Sequence, residues 1–177
     1  MGEVDIEWPW QYNFPPFFTL QTHSDTRAKQ LVAWKALVLN YCKTQKICFV
    51  DTRETKDISL FSNASINRTI QADLLNLILS ELQQTGYSAP LDKQKLRWEI
   101  YWHTLEEFAN IIYSYITDSN STQTVLTFYE LTEGDEVQGQ DFYKLAPEIL
   151  IKVLKVLEDQ GKCEMIMFDD NQGVKFF

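Results

Sequence analysis

The sequence predicts an α+β fold: two tandem winged-helix domains preceded by an extended, aromatic and proline-rich N-terminal arm. Three observations carry that expectation. An apolar pattern occurs twice, shifted by 74 to 75 residues. Each copy orders its segments as helix, strand, helix (a short polar stretch), long helix, strand, strand, which is the winged-helix order. Ahead of both copies, six aromatics and three prolines share the eleven residues 8–18. The expected boundaries are 1–23 for the arm, 24–103 for the first domain and 104–177 for the second.

Proline fixes φ and lacks a donor NH, so the arm should be extended rather than helical. A segment this apolar does not stay free in water. Two readings stand. The arm folds back and completes its own first domain, or it docks into pockets on a partner, where pre-extended proline segments lose little entropy and rings serve as anchors. Both hold if Trp8 and Trp10 pack at home while Pro15, Pro16, Phe17 and Phe18 reach outward. With Phe14, these seven are the candidate docking residues.

The first helix begins near Asp25, with Leu31, Trp34, Leu37, Val38 and Tyr41 as its apolar stripe. A shift of 74 gives Leu105, Phe108, Ile111, Ile112 and Tyr115. That second helix opens on Thr104 with Glu107 three places on, a capping box. A β-like segment follows each helix, at 47–50 and 125–128, and then a short polar stretch. The long helices, about 71–85 and 147–160, repeat with a shift of 75, Leu74, Leu75, Ile78, Leu79 and Leu82 matching Ile149, Leu150, Val153, Leu154 and Leu157. Both stop at a glycine, Gly86 and Gly161, the residue favoured where the chain turns left-handed. Two strands close each copy: 88–91 and 96–102 around a turn at 92–95, and 163–168 and 174–177 around a turn at 169–173.

Composition narrows the function. The formal net charge is −9 and the three cysteines form no paired or zinc-binding pattern. An acidic chain is a poor partner for nucleic acid or anionic lipid, whose binding rests on Lys and Arg. The long helix of the first copy has no Lys or Arg, so it is a poor reader of DNA. The first wing alone is basic, with Lys93, Lys95 and Arg97 beside Asp92, and reads as a solvated turn. No apolar run approaches the length of a membrane span, and no secretory leader is evident. Met1-Gly2 opens like a myristoylation site but has Ile6 where Ser or Thr is needed. His23 and His103 lie in no nucleophile or metal motif, and Glu133, Asp135 and Glu136 read as a solvated loop. Neither an enzyme nor a cofactor is expected.

Several strings then become recognisable: Trp8-Pro9-Trp10, Phe14-Pro15-Pro16-Phe17-Phe18-Thr19-Leu20-Gln21, Asp25-Thr26-Arg27, Leu91-Asp92-Lys93, Tyr129-Glu130-Leu131 and Gly173-Val174-Lys175-Phe176-Phe177. Together they resemble the small subunit of the ESCRT-II endosomal sorting complex, the vacuolar protein sorting subunit 25 family. The resemblance implies tandem winged helices and a cytoplasmic scaffold recruited to endosomal membranes indirectly, through its complex. Two copies would join a core of two other winged-helix subunits. A Pro-Pro-x-Phe motif, here Pro15, Pro16 and Phe18, would dock on that core. The second domain would recruit an ESCRT-III subunit, in sorting ubiquitinated membrane proteins into multivesicular bodies. Phe128, Tyr129 and Glu130 are the expected ESCRT-III contact, and Phe128 reads equally as core. From the fold alone, a winged-helix protein of a transcription-associated complex is the alternative.

Overall fold

A computed structural model of the chain describes residues 5–167 and 170–177. The Met1-Gly2 start, the expected strand end at Phe168 and the turn residue Asp169 lie outside them. The chain is a mixed helix-and-sheet protein that divides into two compact units, Met1–Trp102 and His103–Phe177.

The first unit is built on α1 (Ser24–Gln45). Its stripe of Leu31, Trp34, Leu37, Val38 and Tyr41 is buried as the spacing predicts. Against it lies α2 (Ala72–Gln84), which buries Leu74, Leu75, Ile78, Leu79 and Leu82. Each such side chain stabilises the fold by roughly 1.5–3 kcal/mol when taken from water. A three-stranded antiparallel sheet of β1 (Phe49–Asp51), β5 (Arg97–Ile100) and β4 (Ser88–Pro90), in the order β1-β5-β4, closes the core with Trp98 and Ile100. Between β1 and α2 the chain makes 3-10 turns and a short ladder of β2 (Ser62–Asn63) with β3 (Arg68–Thr69), rather than a further helix.

The second unit repeats the plan. It holds α3 (Leu105–Asp118), β6 (Val125–Thr127), a one-and-a-half-turn α4 (Phe128–Glu133), α5 (Pro147–Asp159), β7 (Cys163–Met167) and β8 (Gln172–Phe176). Its sheet runs β6-β8-β7, so the last strand is again central, as β5 is in the first unit. The registers correspond too, Phe49 facing Glu99 and Val125 facing Lys175. The five apolar positions of α5 are all buried, and Gly86 and Gly161 have φ of 89° and 73°, a region costly for other residues. In α3 the fully buried line is Phe108, Ile112 and Ile116 with Ala109, while Leu105, Ile111 and Tyr115 are half-buried. The buried face of α3 is thus rotated relative to the α1 stripe: it takes in Ala109, where α1 has the half-buried Lys35, and leaves Leu105, Ile111 and Tyr115 at its margin. The strand β8 begins at Gln172, two residues earlier than the turn pattern predicts.

All three cysteines are buried, and none of them is in a disulfide. Burial raises Cys42 far above the ordinary thiol range, with Cys48 adding to it. Burial and then Glu158 push Cys163 up to about 11, and its sulfur donates to Leu154 O at 3.4 Å. Thiolate is the nucleophile, so none should react in the native state. Iodoacetamide at pH 8 should leave Cys42 and Cys163 unmodified until urea unfolds the chain; rapid native labelling of either would contradict this burial. The capping box is present, Thr104 N donating to Glu107 Oε2 at 3.0 Å and Glu107 N to Thr104 Oγ1 at 3.2 Å. Thr104→Ala should cost about 1 kcal/mol, seen as a lower urea midpoint at unchanged m-value.

Candidate protein interface

The N-terminal segment is not extended. It makes two 3-10 turns, Trp10–Asn13 and Pro15–Phe18. The φ of proline suits the first positions of a tight helical turn as well as extended chain, and Pro15 and Pro16 open the second turn where no NH is needed. Neighbouring side chains take the freed carbonyls. Gln30 Nε2 donates to Phe17 O at 3.0 Å and Thr19 O at 2.7 Å, and Trp34 Nε1 donates to Phe17 O at 2.7 Å. Asn63 Nδ2 donates to Tyr12 O at 2.8 Å, while the Tyr12 hydroxyl reaches Ser59 O at 2.5 Å.

The rings divide into two sets. Phe17 and Phe18 are 4% and 1% exposed. Phe17 stacks on Trp34 with centroids 4.4 Å apart, and Phe18 meets the same indole edge-on at 5.5 Å. Trp8 is half-buried and stacks on the buried Tyr12 at 3.8 Å. Trp10 and Phe14 instead stand out, 71% and 49% exposed. The expectation is therefore corrected for Phe17 and Phe18, which do not reach outward, and for Trp10, which does not pack at home, while Pro15 is half-buried and Pro16 exposed. Phe17 and Phe18 plug this molecule's own core because the turn at Pro15–Phe18 swings both rings onto Trp34. Trp10, Phe14 and the exposed Pro16 face solvent and, with Thr26, Lys29 and Ala33 of α1, line a largely apolar cavity of about 280 Å³. Gln30 and Asn63 were not singled out by sequence, and Trp34 only as an apolar position of the first helix. Gln30 was findable, since it lies four residues before Trp34 on the buried line of α1, a polar group where the pattern asks for an apolar one.

In the second unit Phe128 is buried, whereas Tyr129 is 66% exposed and Glu130 is exposed. Thr127 caps α4 by accepting from Glu130 N at 3.0 Å, which fixes the direction of both residues. A cavity of about 370 Å³ beside them is lined by Tyr115, Leu126 and Leu131, and by the acidic Glu130, Asp135 and Glu136. Gly134 lets the chain leave α4 sharply, because a Cβ there would stand 2.7 Å from Glu130 O. Charge is unevenly shared. Residues 1–102 carry eleven basic and eleven acidic side chains, and residues 103–177 five basic and fourteen acidic, so the whole −9 lies in the second unit.

The basic first wing is internally braced. Asp92 accepts from Leu96 N at 3.0 Å and Arg97 N at 2.9 Å, which holds its carboxyl below the ordinary range. Arg53 grips Asp51 through Nε at 3.0 Å and Nη2 at 2.7 Å, so the Asp51 carboxyl falls to about 2. Since the folded carboxyl is the stronger acid, this pair favours the fold above pH 3.8 and loses that contribution as pH falls toward 2. The titration midpoint of Asp51, followed by NMR, should return toward 3.8 in Arg53→Ala.

No group of His, Cys, Asp and Glu among the described residues is arranged to hold a metal ion. No helix among them is long and apolar enough to cross a membrane. Against known proteins, the family model described as ESCRT-II complex subunit matches residues 11–146. Vacuolar protein-sorting-associated protein 25 of Danio rerio is 41% identical over 174 residues, covering 98% of this chain and 100% of that protein. Its Homo sapiens counterpart is 39% identical over 174 residues, covering 98% and 99%. Among solved structures, that of subunit VPS25 of the endosomal trafficking complex ESCRT-II superposes with a TM-score of 0.82 at 29% identity, over 96% of this chain and 98% of that one. A chain of the endosomal complex ESCRT-II (VPS22/VPS25/VPS36) does so with 0.80 at 30% identity, over 95% and 98%.

Proposed function

This chain belongs to the ESCRT-II complex subunit family, and from that membership we propose that it is a non-catalytic scaffold that ties the ESCRT-II core to ESCRT-III. It works in endosomal trafficking, in the sorting of ubiquitinated membrane proteins into multivesicular bodies, and reaches the membrane only through its complex. Each of its two units is a winged helix, and their partners are proteins rather than nucleic acid. The residues before α1 form the face that joins the two other winged-helix subunits, the counterparts of VPS22 and VPS36. The observation that carries this reading is the exposed Trp10–Phe14 pair beside an apolar cavity on a well-braced segment. Large rings held in solvent next to a hollow are what a protein interface hides.

The second unit holds the ESCRT-III contact, at the cavity flanked by Tyr129 and Glu130. Concentration of the net charge in that unit supports a basic partner helix, since opposite potentials steer encounter. Two such chains on one core present two ESCRT-III sites at set separation, which raises effective concentration without new contacts.

A double change, Trp10→Ala with Phe14→Ala, should weaken binding to the two core subunits by at least about 30-fold, the scale of an interface hot spot. Circular dichroism and melting should stay those of the parent; unchanged co-purification would refute the reading. Phe18→Ala should act differently, destabilising the first unit by roughly 3–5 kcal/mol because it empties a core site. Glu130→Lys should reduce capture of the ESCRT-III subunit while leaving assembly with the core subunits intact, measured by pull-down against each partner in turn.

A further inference from the structure

We infer that Gln30, Trp34 and Asn63 are positioning residues, which hold the N-terminal segment in its docking conformation before any partner arrives, so that the segment docks already formed. The inference rests on the reading that the Trp10–Phe14 face contacts other subunits.

The segment has few means of ordering itself. It contains Pro9, Pro15 and Pro16, belongs to no sheet, and its own backbone bonds are the short turns Tyr12 N to Pro9 O, Phe14 N to Gln11 O, Phe17 N to Phe14 O and Thr19 N to Pro16 O, at 2.9 to 3.2 Å. Such turns are weak alone. Order comes from the rest of the unit. Asn63 is 5% exposed and both ends of its amide are engaged. Its nitrogen holds Tyr12 O at 2.8 Å and its oxygen accepts from Ser65 N at 3.1 Å and Ser65 Oγ at 2.7 Å. That clamp sits between the two outward rings in the chain, at the end of the first turn. Gln30, 6% exposed, and Trp34, fully buried, hold Phe17 O on the far side of Phe14. Trp10 and Phe14, 5.7 Å apart, are thus carried on a piece of backbone pinned at Tyr12 and at Phe17. Neither Asn63 nor Trp34 lines the cavity, so neither touches what would enter it.

A face that is already formed pays no ordering cost on binding. If the clamps are loosened, the competent conformer becomes a fraction of the population and the apparent affinity falls by that fraction. The loss then appears in the association rate, because the bound state is unaltered.

Two variants remove a donor, the first with shape kept and the second with a smaller ring. Asn63→Asp keeps the acceptor for Ser65 and loses the NH2 that holds Tyr12 O. Trp34→Phe keeps an aromatic ring beside Phe17 and loses the indole NH. The measurements are amide hydrogen exchange on the free full-length chain and association and dissociation rates with the purified pair of core subunits. In the parent, the amides of Tyr12, Phe14 and Phe17 should exchange far more slowly than in a free peptide, as for other structured regions. In both variants that protection should fall locally, with α2 and α5 still protected. Association should slow about tenfold, equivalent to about 1.4 kcal/mol at 25 °C, with dissociation changed less than about twofold. Peptide-like exchange in the parent, which needs no variant, would overturn the inference. So would variants that lose local protection yet associate at the parental rate. The docking reading fails separately, if Trp10→Ala with Phe14→Ala binds the core as tightly as the parent.

Discussion

Phe17 O is a backbone acceptor buried among aromatic rings, and much of the first unit is arranged around keeping it bonded. A buried carbonyl left unpaired costs roughly 1–3 kcal/mol. Here Gln30 supplies one donor at 3.0 Å and Trp34 another at 2.7 Å, both from a single face of α1. Because that oxygen is satisfied, Phe17 can lie flat on the Trp34 indole and Phe18 can meet its edge. With those rings at home, Trp10 and Phe14 are the aromatics of the segment left in solvent. The candidate interface is in this sense the remainder of a packing problem solved from inside.

The two units are one architectural plan carrying different chemistry. Both centre their sheet on the last strand and both end the long helix at a glycine of positive φ. The first unit balances its charges, whereas the second concentrates acidic residues; between first strand and long helix the first unit has 3-10 turns and the β2–β3 ladder where the second has α4, and the aromatic segment precedes only α1. A duplicated fold leaves its two copies free to present different surfaces, since fold does not dictate what a surface recognises.

Much of this was legible in residues alone. The stripes of α1, α2 and α5, the capping box at Thr104 and the stop glycines follow from local rules that tertiary context does not override. The conformation before α1 was misread because Pro15 and Pro16 are compatible with two backbones, and the choice between them is made by Gln30 and Trp34, distant in sequence. For the same reason the pattern could not say which rings would be buried. Asn63 lay in a stretch with no periodicity, where a single polar contact to Tyr12 O leaves no trace in spacing. The rotation of α3 was hidden because alanine at 109 packs as core while looking neutral in an apolar count.

The central placement of β5 and β8 has a consequence during synthesis. Val125 finds its partner only when Lys175 has been made, and Phe49 waits likewise for Glu99. At roughly 5–20 residues per second on a ribosome, each opening strand spends several seconds as a bare edge. During that interval the nascent chain offers unpaired amides and apolar side chains to whatever is nearby. The exposure comes twice per molecule, once for each three-stranded sheet.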